Sequence, residues 1–353
     1  MIRTCNAFKN HLMYGIDGYI KPCCVFDTSV SPEYKIQATP DQLNYNTELW
    51  HRASQTDFRD IPGCHKCVND NHMIDFYDRI MTGGDDLEFI ELAVSSECNL
   101  ACRMCDPSYS TKIYQEVEQQ GGNIGKFVSN QQVKKSQVTT LDIINNVNLK
   151  SIKRIKIVGG EPFVSPQTFK LFDILEPYAN NIHLQITTNC TFFPKKYLKI
   201  LSKFKRLVVL LSIDGVEKTA EYIRYGCEWN TVLEVLKQWS NTDFQKRITT
   251  SVQAYNMHQL PEIYQLAVEH HIPFSYHMVY NPSYLSVWSM PTDYMQKCVN
   301  IIQNSDMQEK DKKTLIQVFR NKPNNQEFTE FKEYTALMDN IRNQNIENIL
   351  DFD

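Results

Sequence analysis

Residues 97–105 of this chain read Glu-Cys-Asn-Leu-Ala-Cys-Arg-Met-Cys and directly follow an expected β-strand, Leu87–Ser95. Their three cysteines, Cys98, Cys102 and Cys105 (the cysteine trio), have the spacing C-x3-C-x2-C. Three thiolates can hold three irons of a [4Fe–4S] cubane, which leaves the fourth iron open. Because an open iron can bind a substrate or cofactor, the pattern predicts a reactive centre. A zinc site built from two or three of these cysteines is the alternative.

A second motif follows a second expected strand. Residues 154–158 (Arg-Ile-Lys-Ile-Val) are a β-branched run bounded by glycine, which is typical of a buried strand. The run ends in Gly159-Gly160-Glu161-Pro162. Two glycines let a backbone approach a ligand closely, and the Glu161 carboxylate can accept a bond from a cation. Taken alone, the motif is more typical of a strand-to-helix turn.

In this order, the two motifs resemble those of the radical S-adenosylmethionine (SAM) superfamily. The resemblance implies that SAM chelates the open iron through its amino and carboxylate groups. It also implies that Gly159, Gly160, Glu161 and Pro162 bind the methionyl amino group. The family often has an aromatic residue before the third cysteine. Here that residue is Met104, whose thioether can still pack against adenine.

The ends of the third and fourth expected strands carry further residues that the resemblance assigns to the SAM pocket. Asn189 follows the third strand, and Ser212 and Asp214 lie at the end of the fourth. These three residues would line the pocket near the ribose. Arg224 would pair with the SAM carboxylate through a charge-assisted hydrogen bond. Ordinary turn chemistry also accounts for Asn, Ser and Asp at such positions.

Strand-like and helical runs alternate between residues 87 and 280, which predicts an α/β fold with a parallel sheet and outer helices. The expected strands are 87–95, 153–158, 183–188, 207–213, 249–254 and 274–280. The resemblance implies a partial (β/α)6 barrel at residues 87–290, with its active site at the carboxyl ends of the strands. We expect a helical C-terminal extension at residues 291–353.

Eight of the eleven cysteines fall within the first 105 residues, and four of these predict a second site. Cys5, Cys23, Cys64 and Cys67 (the cysteine quartet) follow the spacing C-x12-G-x4-C, a gap of 40 residues, then C-x2-C. The turn dipeptide Asp17-Gly18 predicts a hairpin that brings Cys5 and Cys23 together. Four thiolates would satisfy one zinc ion or one cluster completely.

The spacing of the quartet resembles the twitch module, a short form of the SPASM domain. The resemblance implies a fully ligated auxiliary [4Fe–4S] cluster in a module at residues 1–86. The order departs from the family pattern, because twitch modules normally follow the radical SAM core. Cys24 could replace Cys23 as a ligand, although the G-x4-C spacing favours Cys23.

Charge and hydropathy argue against several classes of protein. The net charge is −4 and 22% of the residues are charged, so a general nucleic-acid surface is not indicated. The longest apolar run, Leu207–Ile213, is too short to cross a bilayer, and the N-terminus lacks a signal-peptide core. We therefore expect no membrane partner and a cytoplasmic location, where thiols stay reduced.

The expected function is that of an enzyme. The resemblance implies that a reduced cluster on the trio cleaves SAM to methionine and a 5′-deoxyadenosyl radical, which abstracts hydrogen from a substrate. The auxiliary cluster would relay an electron, and a flavodoxin- or ferredoxin-type protein would be the electron donor. Relatives act on peptides, protein side chains or small metabolites, and we expect a peptide or protein side chain. The alternatives are a dehydrogenase of a small metabolite and a non-catalytic zinc or iron–sulfur binding module.

Overall fold

Strands and helices alternate along the chain in a computed structural model that describes residues 3–39, 47–69, 86–120, 122–127, 138–320 and 325–350. The result is an α/β fold with a mostly parallel sheet. In chain order the strands are β1 (His11–Tyr14), β2 (Tyr19–Lys21), β3 (Ile36–Gln37), β4 (Phe89–Ala93), β5 (Ala101–Cys102), β6 (Arg154–Val158), β7 (His183–Thr188), β8 (Arg206–Ser212), β9 (Arg224–Tyr225), β10 (Gln245–Val252) and β11 (Phe274–Met278).

Local signals set several helix ends. Thr139 and Asp142 form a reciprocal capping box at the start of one helix, and Pro166 occupies the first turn of the next. None of the described helices combines the length and apolar character needed to span a bilayer. The α-helices are Ala7–Asn10, Glu48–Gln55, His65–Asn69, Thr111–Gln120, Gly122–Gly125, Thr140–Asn145, Pro166–Leu175, Leu198–Leu201, Glu217–Ile223, Trp229–Ser240, Leu260–Glu269, Thr292–Gln303, Glu309–Phe319 and Asn325–Arg342.

The chain divides into two compact units. Two of the boundaries between them fall inside strands, one in β7 and one in β8. Unit 1 comprises Met1–Glu97, Gln131–Ile186 and Pro194–Val208. Unit 2 comprises Cys98–Asn130, Thr187–Phe193 and Val209–Asp353. The boundaries expected from sequence, after residues 86 and 290, stay a prediction.

Unit 1 contains strands in the order β7-β6-β4-β1-β2-β3. β4, β6 and β7 are parallel, with Glu91 opposite Lys156 and Lys156 opposite Gln185. The expected hairpin is present as antiparallel β1 and β2, and Gly18 supplies the positive φ of 80° in its turn. Because β1 also pairs in parallel with β4, the hairpin extends the sheet of this unit.

The faces of β6 and β7 follow a period of two. Ile155, Ile157, Leu184 and Ile186 are almost fully buried, whereas the residues between them are partly exposed. Alternation of this kind places one side of each strand in the core and leaves the other side for polar residues. The partly exposed face of unit 1 is consequently rich in charged and amide side chains.

Unit 2 contains neighbouring strands in the order β8-β10-β11 and a separate two-stranded ladder of β5 and β9. β10 and β11 are parallel, with Ser251 opposite His277. In the short ladder Cys102 lies opposite Arg224. All six strands expected from the sequence are therefore present as β4, β6, β7, β8, β10 and β11. The partial-barrel shape, the separate N-terminal module and the helical extension stay predictions.

Candidate cluster-binding sites

The cysteine trio lies on one loop of unit 2. Cys102 is buried, while Cys98 and Cys105 are partly exposed. Burial raises the pKa of the Cys102 thiol to about 12, and Cys98 adds to this rise while Arg224 opposes it. Burial also raises the pKa of Cys105, with further contributions from Cys102 and Cys98. The three sulfur atoms are thus close enough to influence one another, and binding of iron would have to displace their protons.

Backbone and hydroxyl hydrogen bonds give this loop a defined shape. The Cys105 N–H donates to the Cys102 carbonyl at 3.0 Å, and the Cys98 N–H donates to Thr111 Oγ1 at 3.4 Å. Ser110 Oγ donates to the Leu100 carbonyl at 2.8 Å. Together with the β5–β9 ladder, these bonds hold the loop in place.

Arg103, between the second and third cysteines, anchors the loop. Its fully buried side chain lies 2.5 Å from Asp339 Oδ1 and 3.7 Å from the ring centroid of Tyr222. Its Nε donates to the Tyr222 carbonyl at 3.1 Å, and its own carbonyl accepts from the Tyr334 hydroxyl at 2.6 Å. Asp339 and Tyr334 belong to helix Asn325–Arg342, which therefore holds the cysteine loop. Sequence reasoning missed this residue.

Asn189 lies beside Cys98 of the trio, and its predicted place in the SAM pocket stays a prediction. Its Nδ2 donates to Asn99 Oδ1 at 2.9 Å and lies 4.0 Å from Cys98 Sγ. Its Oδ1 accepts from the backbone and hydroxyl of Thr191 at 3.0 and 2.6 Å. The amide is thus oriented next to Cys98. Two other predicted contacts of SAM, Ser212 and Met104, are partly exposed.

Arg224 and Asp214 form a buried ion pair in unit 2. Arg224 Nη2 lies 2.6 Å from Asp214 Oδ2, and Asp214 Oδ1 accepts from the Ser251 N–H at 2.7 Å. The sequence predicts SAM as the partner of both side chains, whereas the structure pairs them with each other. If Arg224 binds a carboxylate of SAM as predicted, that carboxylate must either share Arg224 with Asp214 or displace Asp214 from it.

The Gly-Gly-Glu-Pro motif lies in unit 1 at the end of β6. Gly159 has a φ of 129°, and a Cβ there would lie 2.6 Å from the Ser95 carbonyl oxygen. A Cβ on Gly160 would lie 2.1 Å from the Glu97 carbonyl oxygen. The two glycines therefore allow the end of β6 to lie against the backbone of residues 94–97. The sequence-based interpretation of the same glycines is the close approach of a ligand.

The Glu161 carboxylate is buried and has a backbone partner. Glu161 is 1% exposed, and its Oε1 accepts from the Phe163 N–H at 3.0 Å. This bond closes the turn after β6, which matches the turn alternative that the motif alone favours. The assignment of Gly159, Gly160, Glu161 and Pro162 to SAM binding stays a prediction.

The cysteine quartet lines one small cavity in unit 1. Of the two adjacent cysteines after the hairpin, Cys23 lines this cavity and Cys24 does not. All four cysteines are buried in a core cluster with aromatic rings. Burial raises the pKa of the Cys64 thiol to about 12, and Cys5 and Cys67 add to the rise. The rings of this cluster are Phe8, Phe26, Tyr34, Trp50, Phe58 and Phe89.

The donor set of the quartet fits a cluster of which each iron takes one thiolate. None of the eleven cysteines, all within the described residues, forms a disulfide. Among those same residues, no three His, Cys, Asp or Glu side chains are arranged to hold a single metal ion. The shared feature of the quartet is therefore one apolar enclosure that presents four sulfur atoms.

The trio and its polar neighbours lie within a region that matches a known family. Residues 92–267 match the family model of the Radical SAM superfamily. This region is a radical SAM domain. A radical SAM domain implies SAM and an iron–sulfur cluster, and the trio is the set of thiols in this domain with the required spacing.

Part of the chain is also similar to individual proteins. It is 24% identical over 200 residues to GTP 3′,8-cyclase of Campylobacter fetus subsp. fetus (strain 82-40), covering 56% of this chain and 55% of that protein. It is 29% identical over 181 residues to the radical SAM cyclopropyl synthase TigE of Paramaledivibacter caminithermalis, covering 46% and 35%. The structure of anSMEcpe with bound AdoMet matches at a TM-score of 0.42 and 18% identity, covering 61% and 59%. The chain thus matches about half or less of these curated relatives.

Proposed function

We propose that this chain is a radical SAM enzyme that reductively cleaves SAM and abstracts hydrogen from a peptide or protein side chain. The observation that carries the proposal is the cysteine trio on one anchored loop of the radical SAM domain. Three thiolates account for three of four cubane irons and leave one for a cofactor. When bound, the cluster and SAM supply the 5′-deoxyadenosyl radical that removes the hydrogen atom.

Side chains around the trio would position these groups. Arg103 keeps the loop that carries the three sulfur atoms in place through its ion pair with Asp339. The oriented amide of Asn189 offers hydrogen bonds beside Cys98. The Arg224 guanidinium, opposite Cys102, offers a charge-assisted bond to a carboxylate that shares it with Asp214.

The quartet would hold a second [4Fe–4S] cluster that transfers electrons. Four cysteines would ligate all of its irons, so no position remains for a substrate. The aromatic enclosure would keep water from the sulfur atoms. A flavodoxin- or ferredoxin-type protein would supply the electrons.

The polar face of β10 and β11 supports a substrate rich in hydrogen-bonding groups. Thr249 Oγ1 lies 3.1 Å from Ser275 Oγ, and Ser251 Oγ lies 3.1 Å from His277 Nε2. These hydroxyl and imidazole groups form neighbouring pairs on two parallel strands. Their donors and acceptors would match the amides of a peptide or protein.

Anaerobic reconstitution tests the proposal. We expect about eight irons and eight acid-labile sulfides per chain for two cubanes. With a reductant and SAM, the protein should form 5′-deoxyadenosine, and an added peptide substrate should lose hydrogen. Stoichiometric zinc with little iron, or full iron without any cleavage of SAM, would refute it.

A further inference from the structure

A basic cleft in unit 1 opens at the amino ends of β6, β7 and β8, whose first residues all belong to that unit. Its volume is about 590 Å³, which lies within the range of sites for small molecules. None of its lining residues belongs to the trio, the quartet or the predicted SAM pocket. Its basic lining residues are Lys150, Lys153, Arg154, His183, Lys205 and Arg206.

The topology of the strands brings these residues together. β6 starts at Arg154 directly after Lys153, and β8 starts at Arg206 directly after Lys205. β7 starts at His183, whose N–H donates to the Lys153 carbonyl at 2.8 Å. Two Lys-Arg pairs from separate parts of the sequence therefore line the same cleft. The rigid strand starts fix where their side chains begin.

Neighbouring groups orient the side chains of Lys153 and Arg154, whereas the charges of Lys150 and Lys205 are available for a ligand. Lys153 forms an ion pair with Glu88 at 2.5 Å, whereas Arg154 donates to the neutral amide of Gln185 at 2.9 Å. Among the described residues, Lys150 and Lys205 have no ion-pair partner. Several like charges thus line one cleft in a chain whose net charge is −4. Repulsion of this kind destabilises a fold unless an anion compensates it.

The titration of His183 is consistent with this positive potential. Burial lowers the pKa of its imidazole, and Lys205, Arg206 and Arg154 lower it further. The imidazole is therefore kept neutral, so it can donate or accept a hydrogen bond without adding another charge.

We propose that this cleft binds a small molecule that carries a diphosphate group. Arginine offers paired donors to phosphate oxygens, and lysine offers a compact charge. Ile152 adds an apolar wall and Asn181 an amide, which suit the organic part of such a ligand. A cleft of this volume accommodates a small diphosphate, whereas a nucleic-acid backbone is usually bound along an extended groove.

Calorimetric titration of the full chain with inorganic pyrophosphate and with ADP tests the proposal. We expect saturable binding that Lys205→Gln/Arg206→Gln weakens about tenfold or more, since two charge-assisted contacts are lost. The variant Lys310→Gln/Lys313→Gln removes the same charge from the exposed face of helix Glu309–Phe319 and should bind as the wild type does.

Each alternative result would overturn the proposal. Absence of saturable binding to both ligands would show that the cleft is not a diphosphate site. An equal loss of affinity in the two double variants would show the same. Binding of a long single-stranded RNA without binding of either diphosphate would identify a surface for a macromolecule instead. If circular dichroism shows that Lys205→Gln/Arg206→Gln is unfolded, Lys150→Gln removes a different charge from the same cleft and should also weaken binding. These titrations need neither iron nor SAM, so they stand apart from the proposed enzymatic function.

Discussion

The trio and the quartet present the same kind of atom, a cysteine sulfur, in opposite surroundings. Polar and charged groups surround the trio, and two of its three cysteines are partly exposed. Aromatic rings surround the quartet, and its four cysteines are only 7–9% exposed. The surroundings of a metal centre control its access and its chemistry. The comparison therefore supports the proposal of reactivity at the trio and electron transfer at the quartet, and five experiments can test the two regions.

Replacement of Cys98, Cys102 and Cys105 by Ala should have the largest effect. Because the open cluster loses its ligands, we expect a loss of about four irons per chain and of all 5′-deoxyadenosine formation. Iron analysis and chromatography of the reaction products measure both effects. Cys298→Ala removes a buried cysteine outside both sites and should keep the iron. Cleavage of SAM by the triple variant would contradict the assignment of reactivity to the trio.

The double variant Cys5→Ala/Cys23→Ala should affect the quartet alone. We again expect about four irons fewer, but some cleavage of SAM should remain because the trio is intact. Modified substrate should be absent, because the cluster proposed to transfer an electron during the reaction is lost. Mass spectrometry of the substrate and quantification of 5′-deoxyadenosine separate these outcomes. Normal yields of product would rule out an electron-transfer role for the quartet.

Arg103→Met tests whether the C-terminal helix holds the trio. Loss of one partner of this buried pair should lower the free energy of unfolding by about 3 kcal/mol and reduce iron at the trio. Urea unfolding and iron analysis are the measurements. Lys126→Met breaks an exposed ion pair with Glu333 on the same helix, and we expect a change below about 1 kcal/mol. Similar losses in both variants would argue against an anchoring role for Arg103.

Acid should weaken the sheet that carries the hairpin of unit 1. Burial raises the pKa of Glu91, but His11 and Lys156, at 3.3 and 2.7 Å, outweigh burial and hold that pKa below its usual range. Such a carboxylate stabilises the fold fully above its unfolded pKa of about 4.3, and this contribution is lost as the pH falls below that value.

We therefore expect the free energy of unfolding of the wild type to fall between about pH 5 and pH 3, where its unfolded carboxyl takes up a proton. Glu91→Gln should be less stable at neutral pH and should change less over this range, because it has no carboxylate to protonate. Denaturant titrations at several pH values give both curves. If the two curves ran parallel, Glu91 would not be the source of the acid sensitivity.

The smallest expected effect concerns the helix beside the quartet. Thr47 Oγ1 accepts from the Trp50 N–H at 3.2 Å at the start of helix Glu48–Gln55, and Trp50 is in the quartet core. Thr47→Ala should destabilise this helix by about 1 kcal/mol and speed the loss of iron from the quartet only. Thr139→Ala removes a similar cap from helix Thr140–Asn145 and serves as the control for iron retention. Equal rates of iron loss in both variants would contradict this link.

Local patterns in the sequence predicted much of the fold. β6 (Arg154–Val158) and β7 (His183–Thr188) begin and end where their alternation of apolar and polar residues does. β10 begins at Gln245, earlier than expected. The sequence pattern missed this start because the first three residues of the strand are polar and lack apolar alternation. The parallel pairing of β1 with β4 has no local signal, since it joins residues far apart in the chain.

The same distinction applies to the candidate sites. The spacing of the cysteines predicts two sites, because the trio is close together in the sequence and a turn signal lies between Cys5 and Cys23. The structure places the quartet around one cavity, and the role of both sets as ligands stays a prediction. Arg103 carries no motif, and its partner Asp339 lies 236 residues away. The basic cleft was missed for a similar reason: Lys153-Arg154 and Lys205-Arg206 become neighbours only through the arrangement of the strands. A Lys-Arg pair at the start of each of two strands is a signal that could have indicated it.

The contact between Arg103 and Asp339 has a consequence for the order of assembly during translation. A ribosome makes the cysteine loop long before it makes the helix that anchors the loop. The trio therefore reaches its final shape only after residue 339 has been made, 236 residues after Arg103. The last cysteine of the quartet, Cys67, is made before any residue of the trio, so the four cysteines of the quartet can come together first.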